Sequence, residues 1–301
     1  MNKIPVGQTI RFAYAFTFGE IGTVIGLIWI PTLIQTVADF FILGTYYPVL
    51  ADAFDAGAAP SGPAALLPLL LVVVSMLTMA MVGVAITQQV LGLRAGPVFA
   101  HIAFGSAELK VFGGYFFLYG LAILFLFVFV LAVSLVSAGS LAAVNFMGGG
   151  APAFAVGLVV LSLVGLAAAI FVMTRLSYLL VPTILDGADF GVLRSWQLTR
   201  GNFWRIFIVG LATLLPLFIV IDVVGAIFLG PPPVAAQSAT PATVEALLHS
   251  FAAELRSTLP HLPVLMGVGL VMSPLTYGLL FAPAAFAYRV LSGKTAFGAR
   301  E

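Results

Sequence analysis

The sequence predicts an all-α, polytopic membrane protein with six transmembrane helices, and three observations carry that prediction. The 301 residues are 62% hydrophobic and 8% charged, with a mean hydropathy of +1.18. A soluble domain carries about 25% charged residues, so this chain lacks the polar surface to dissolve. Six apolar stretches, at about 20–43, 65–92, 111–141, 153–181, 204–229 and 263–291, each reach the ~20 residues that a helix needs to cross the hydrocarbon core. They are far too long for barrel strands. Finally, eleven of the twelve basic residues fall on one side of the membrane those stretches imply, and only Arg256 falls on the other. Lys and Arg are retained in the cytoplasm during insertion, so both termini are predicted to be cytoplasmic, in a bacterial inner membrane.

The first stretch is predicted to be a retained helix. Lys3 is followed by Pro5, Gly7, Gln8 and Arg11, which do not make the compact apolar core of a cleaved signal. The other stretches fall into helix pairs. A mixed aromatic and basic segment precedes the first, third and fifth crossings, at Thr9–Pro31, Gly105–Ile123 and Arg194–Pro216. Ser106 registers with Ser195, Leu109 with Leu198 and Tyr115 with Trp204, all 89 residues apart; Arg11 registers with Arg194 at 183. The pairs leave through Leu93-Arg94-Ala95-Gly96, Leu185-Asp186-Gly187 and Leu291-Ser292-Gly293. The expectation is a single integral membrane domain, 1–301, of three similarly oriented helix-pair units at about 5–96, 97–187 and 188–301, unlike the inverted repeats of many transporters.

The connections on the far side differ. Residues 44–64, with Asp52, Asp55, Pro60 and Pro63, read as an irregular loop, and Gly148-Gly149-Gly150 as a short uncharged turn. After Pro231-Pro232-Pro233, Thr240-Pro241 offers a helix start. Val244, Leu247, Leu248, Phe251, Leu255 and Leu259 then recur at helical spacing, with Glu245, His249 and Arg256 off that face. This predicts an amphipathic helix at 241–259, on the membrane surface or against the bundle.

Two acids lie at membrane depth, 183 residues apart like Arg11 and Arg194: Asp39 near the outer end of the first crossing and Asp222 in the outer half of the fifth. An ionised carboxylate is costly in hydrocarbon unless paired, protonated or wet. Asp39 reads as an interface acid reaching headgroups. Asp222, flanked by Ile219-Val220-Ile221 and Val223-Val224, needs a partner, and with Asp39, Gln88 and Gln89 it is among the few groups able to line a polar path. Arg175 reads as snorkelling to phosphates. Glu245 and His249, four apart, have metal-ligand spacing but make only two ligands; no metal and no cofactor is expected. The glycines at 22, 26, 157, 165, 210, 267 and 269 read as helix-packing positions.

The most distinctive local sequence is Ser195-Trp196-Gln197-Leu198-Thr199-Arg200-Gly201-Asn202-Phe203-Trp204-Arg205. Aromatic rings favour the headgroup level and Arg reaches phosphate oxygens. Arg194, Arg200 and Arg205 with Trp196 and Trp204 therefore read either as a site for anionic lipid headgroups or as an anchor for the fifth helix. SWQLTRGNFWRIF at 195–207, preceded by YLLVPTILDG at 178–187, resembles the signature of the glycerophosphoryl diester phosphodiesterase membrane-domain family and related bacterial inner-membrane proteins. Some relatives join such a region to a soluble phosphodiesterase barrel of about 250 residues, which holds the catalytic groups. No such stretch occurs here, so the activity is not expected to carry over. The resemblance implies a lipid- or envelope-related role.

Other chemistries lack their motifs. There is no cysteine and no GxxxxGK[ST], GxSxG or HExxH, and the basic residues hug membrane boundaries rather than forming a nucleic-acid patch. The expectation is a non-enzymatic, lipid-interacting or envelope-associated scaffold. Its partners would be membrane lipids and a membrane protein or second copy, with no nucleic acid. A small-solute or ion transporter using Asp222 and Asp39 is the alternative.

Overall fold

A computed structural model of the chain describes residues 3–94, 104–147, 151–188, 191–229 and 241–293. Among the described residues there are ten α-helices and no strand. They are α1 (Val6–Gly19), α2 (Ile21–Asp55), α3 (Leu67–Leu91), α4 (Ser106–Met147), α5 (Ala151–Ser177), α6 (Leu180–Leu185), α7 (Gly191–Leu198), α8 (Phe203–Leu229), α9 (Pro241–Thr258) and α10 (Leu262–Ser292). Six helical stretches are long and apolar enough to cross a membrane, so the protein is an all-α, multi-pass membrane protein.

Three crossings, α2, α3 and α10, pack on one another and form the centre. Helix α1 lies against α8 and α10, α4 bridges α3 to α5, and α5 rests on α7. The α4–α5 pair therefore stands at the edge. Large side chains such as Leu126, Phe127 and Leu163 are exposed there, as lipid-facing side chains should be. The main core lies towards the termini: Val24, Leu27 and Ile28 of α2 meet Val82–Ile86 of α3, with Phe281, Ala282 and Ala285 of α10. A smaller cluster joins Ile4 to Leu179, Ile206, Ala287 and Tyr288, which places the start of α1 and the end of α10 at the same end of the bundle.

Three predictions need correction. The first crossing does not end near 43: α2 runs on through 44–55, a segment read from sequence as loop. Pro48 removes only one hydrogen bond from the turn before it, and the extension is held by α9, which packs along it. The chain turns only beyond Ala56, through Gly57 and Gly62, both at positive φ. Second, α4 reaches Met147 rather than 141; Gly148-Gly149-Gly150 lies outside the described residues. Third, most of the glycines singled out for packing are open: a Cβ at Gly22, Gly157, Gly210, Gly267 or Gly269 would meet nothing within 4 Å. Only Gly165 of that set makes a tight contact, with Phe129; the other close approaches are at Gly83, Gly114, Gly191 and Gly278. Glycine frequency marks where helices can approach, not where they do.

The three predicted units are alike in part. Each pair of crossings ends on a glycine at positive φ, Gly92 (69°), Gly187 (95°) and Gly293 (69°), where the absence of Cβ permits the left-handed turn. Short lead-in helices, α1 and α7, precede the first and third pairs. The middle pair has none, and Ser106 opens α4 directly.

Candidate functional site

The half of the bundle away from the termini is open. A cavity of about 1310 Å³ lies under α9, between α8 and α10, with Gln35, Ser75 and Met79 at its inner wall. Its walls are mostly apolar, including Ile221, Val224, Leu265, Val268 and Met272. Its polar groups lie chiefly on α9, where Ser250, Glu254, Ser257 and Thr258 face it, and on α8, where Asp222 does. A second cavity of about 260 Å³ lies on the other side of Tyr277, lined by Thr32, Thr36 and Asp39 of α2 and by Met266 and Leu270 of α10. Gln35, Leu265, Gly269, Ser273 and Tyr277 line both.

The partition between the cavities is hydrogen-bonded. The Gln35 amide donates to Ser75 Oγ at 3.2 Å, and the Tyr277 hydroxyl donates to Gln35 Oε1 at 3.4 Å. Asp39 has Gln35 as a polar neighbour, and its Oδ1 is buried without a hydrogen-bond partner. The two acids thus differ from their sequence reading. Asp39 sits sixteen residues before the end of α2, about 24 Å along the helix from Asp55, and faces a cavity rather than headgroups. Asp222 is exposed and lines the larger cavity. The structure puts them in adjoining cavities, not in one site. Gln88 and Gln89 join neither: Gln88 lies nine residues beyond Met79, about 13 Å nearer the terminal end, where the backbone carbonyls of both glutamines cap α3.

Helix α9 uses three faces. At 100° per residue, Ser250, Ala253, Glu254 and Ser257 share the face over the cavity. His249, Ala252 and Arg256 share a second face turned to α2. His249 Nδ1 lies 2.7 Å from Asp55 Oδ1, while Arg256 donates to Asp52 Oδ1 at 2.8 Å and reaches Asp55 Oδ2 at 2.6 Å. Ala252 and Ala51 are wholly buried. The third face carries Phe251, which is 43% exposed and touches Phe54. The polar residues read from sequence as a solvated face are therefore the fastening of α9 to the bundle. The Glu245–His249 spacing is spent in the same way: His249 Nε2 is 4.0 Å from Glu245, and no group of three metal-ligating side chains occurs among the described residues.

At the terminal end, the segment around α7 is largely an internal lock. Arg175 does not snorkel. It is 8% exposed, donates from Nη2 to the Trp196 carbonyl at 2.7 Å, and lies 3.7 Å over the Trp196 ring. Ser195 Oγ donates to the Arg175 carbonyl at 2.9 Å and accepts the Leu179 N–H at 3.2 Å. Thr183 reaches the Gly191 carbonyl at 3.1 Å, across a gap so narrow that a Cβ on Gly191 would lie 2.8 Å from the Leu180 carbonyl oxygen. Asn202 Oδ1 accepts the Ile4 N–H at 3.1 Å, and Arg205 donates to the Ile4 carbonyl at 2.8 Å. Of the five residues proposed for headgroups, Trp196 and Arg205 are thus engaged inside the protein. Arg194, Arg200 and Trp204 are exposed, Trp204 at 70%. Asp186 pairs with the Tyr288 hydroxyl rather than with Arg175.

No family model matches this chain, and no curated protein or solved structure matches it.

Proposed function

We propose that the chain is a non-enzymatic protein of a bacterial inner membrane, with both termini cytoplasmic, that holds a lipid-like amphiphile in the cavity under α9. The observation that carries this reading is the cavity itself. Its volume of about 1310 Å³ exceeds the roughly 300–1,000 Å³ usual for small-molecule pockets. Its walls suit an apolar chain, and the hydroxyls and carboxylates on α8 and α9 suit a polar end. The packed core towards the termini favours a dead end over a channel. The one-sided distribution of basic residues supports the orientation. The resemblance of residues 178–207 to the membrane-domain family agrees with a lipid- or envelope-related role. Exposed Arg194, Arg200 and Trp204 are the residues to place that end against anionic headgroups, each basic residue contributing about 1 kcal/mol. The exposed α4–α5 face is the surface for a membrane-protein partner or a second copy.

A second reading, passage of a small solute or ion by way of Asp222 and Asp39, is favoured by the buried, unpartnered Oδ1 of Asp39 in the adjoining cavity. One comparison separates the two. Gly269 lines both cavities and a Cβ there meets nothing within 4 Å, so Gly269→Trp fills space without displacing packing. The variant should lose amphiphiles that co-purify with the wild type in a non-ionic detergent, as read by mass spectrometry. An unchanged set of retained lipids, with Asp39-dependent flux in liposomes, overturns the binding reading in favour of transport.

A further inference from the structure

Resting on the proposed cavity, we infer that its ligand carries a cationic ammonium group, with Asp222 and Glu254 as the counter-ions. These are the two ionisable acids lining the cavity, one on α8 and one on α9, and no Lys, Arg or His occurs among the described residues that line it. The one basic residue on the described part of α9, Arg256, is turned away: its guanidinium is held by Asp52 and Asp55 on the α2 side. His249 is held there too, by Asp55. Helix α9 thus sorts its charges, fastening its cations to α2 and presenting Glu254 to the cavity. Asp39 adds a third acid behind the Gln35–Tyr277 partition.

The consequence is a selection rule. In a cleft with apolar walls, like charges focus the field and raise the local concentration of the opposite charge. An apolar chain ending in ammonium gains on entering. One ending in carboxylate or sulfate meets two negative charges with no basic partner, which costs discrimination energy in the way a built repulsion does. A phosphate group would be equally unpaired. Ammonium without phosphate is therefore the better fit than an amine-bearing phospholipid headgroup, although both offer the same cationic chemistry. Ser250, Ser257 and Thr258 supply hydroxyls beside the carboxylates.

The test uses the full-length protein in a non-ionic maltoside detergent, with the neutral fluorophore N-phenyl-1-naphthylamine as cavity probe. Decyltrimethylammonium should displace it at about one tenth the concentration needed for decanol, a ratio equivalent to about 1.4 kcal/mol, and decanoate should be the weakest. Asp222→Asn with Glu254→Gln should erase the advantage of the cation while leaving displacement by decanol unchanged, which also shows that the variant is folded. Lysophosphatidylethanolamine forms a separate arm: displacement as strong as by decyltrimethylammonium assigns the ammonium to a lipid headgroup, and weaker displacement assigns it to a phosphate-free amine. Equal displacement by cation, alcohol and carboxylate in the wild type overturns the inference and leaves the cavity reading standing. Probe binding that persists in Gly269→Trp overturns the cavity reading itself.

Discussion

Replacing Arg175 by methionine removes the guanidinium and keeps an apolar stem of similar reach. Two contacts go with it, the Nη2 hydrogen bond to the Trp196 carbonyl at 2.7 Å and the stacking 3.7 Å over the Trp196 ring. A hydrogen bond from a charged donor contributes about 1.5–3 kcal/mol, and a cation–π contact about 0.5–2 kcal/mol, the upper value where water is excluded. Arg175 is 8% exposed, so the upper half of both ranges applies, tempered by the partners an unfolded helix still finds in detergent. About 3 kcal/mol is the expected loss. At about 2–4 °C for each kcal/mol in a large domain, the apparent melting temperature should fall by about 5 °C or more. Heating aliquots in a non-ionic detergent and following the monodisperse peak by fluorescence-detected size exclusion measures this. Arg175→Lys is the control, because it keeps the positive charge and loses the planar fork and the stacking. If Arg175 acted by snorkelling, lysine would serve as well and Arg175→Lys would melt with the wild type. That result, or an unshifted Arg175→Met, refutes the lock.

Gly191→Ala should cost about 1–3 kcal/mol in the same assay, the usual cost of overpacking, because the new methyl meets the Thr183 hydroxyl at 2.6 Å and the Leu180 carbonyl at 2.8 Å. Gly269→Ala is its control and should melt with the wild type, since its Cβ meets nothing. Arg256→Gln combined with His249→Gln should leave the melting temperature nearly unchanged, because exposed ion pairs add little to global stability. It should raise deuterium uptake of backbone amides across 245–258, read by mass spectrometry, because α9 loses its polar fastening to α2.

The architecture was legible because the bilayer imposes it. A crossing must satisfy its own backbone groups and be apolar over about 20 residues, and both conditions are visible in a window of sequence. Helix ends were less so. The extension of α2 through Asp55 depends on α9 packing nearly two hundred residues away, and no local property of 44–55 announces that contact. The same holds for Arg175. A lone arginine near a helix end has the composition of a snorkelling residue, and its burial follows from where α7 brings Trp196. The motif at 195–205 was rightly singled out, but periodicity assigned its residues to lipid, whereas Ser195, Thr199, Asn202 and Arg205 spend their hydrogen bonds on the Arg175 carbonyl and on Ile4. Asp222 was flagged as an acid needing a polar surround and does line the larger cavity. Glu254 and Tyr277 were missed. Their signal was available in part: Ser250, Glu254 and Ser257 recur at helical spacing on a face distinct from the leucines, a second polar stripe on a helix with more than one surface to satisfy.

The two ends of the bundle are held by different physics. At the terminal end, α7 is tied by bonds to buried carbonyls, and the core from Val24 to Ala285 is closed. Such contacts resist local opening, because breaking one leaves a polar group unsatisfied or a void. At the far end, α9 is held to α2 by ion pairs whose side chains are 34–76% exposed on the Asp52, Asp55, His249 and Arg256 surface, together with one close Ala51–Ala252 approach. These contacts exchange readily with water and salt. The large cavity lies under this loosely held helix and not in the closed core. Elements that admit ligands are drawn from the low-stability part of a fold by necessity. A helix that lines the cavity on one face and clasps α2 with another can therefore open without disturbing the crossings. Access to the cavity should accordingly rise with ionic strength, while the melting temperature, set by the terminal end, stays where it is.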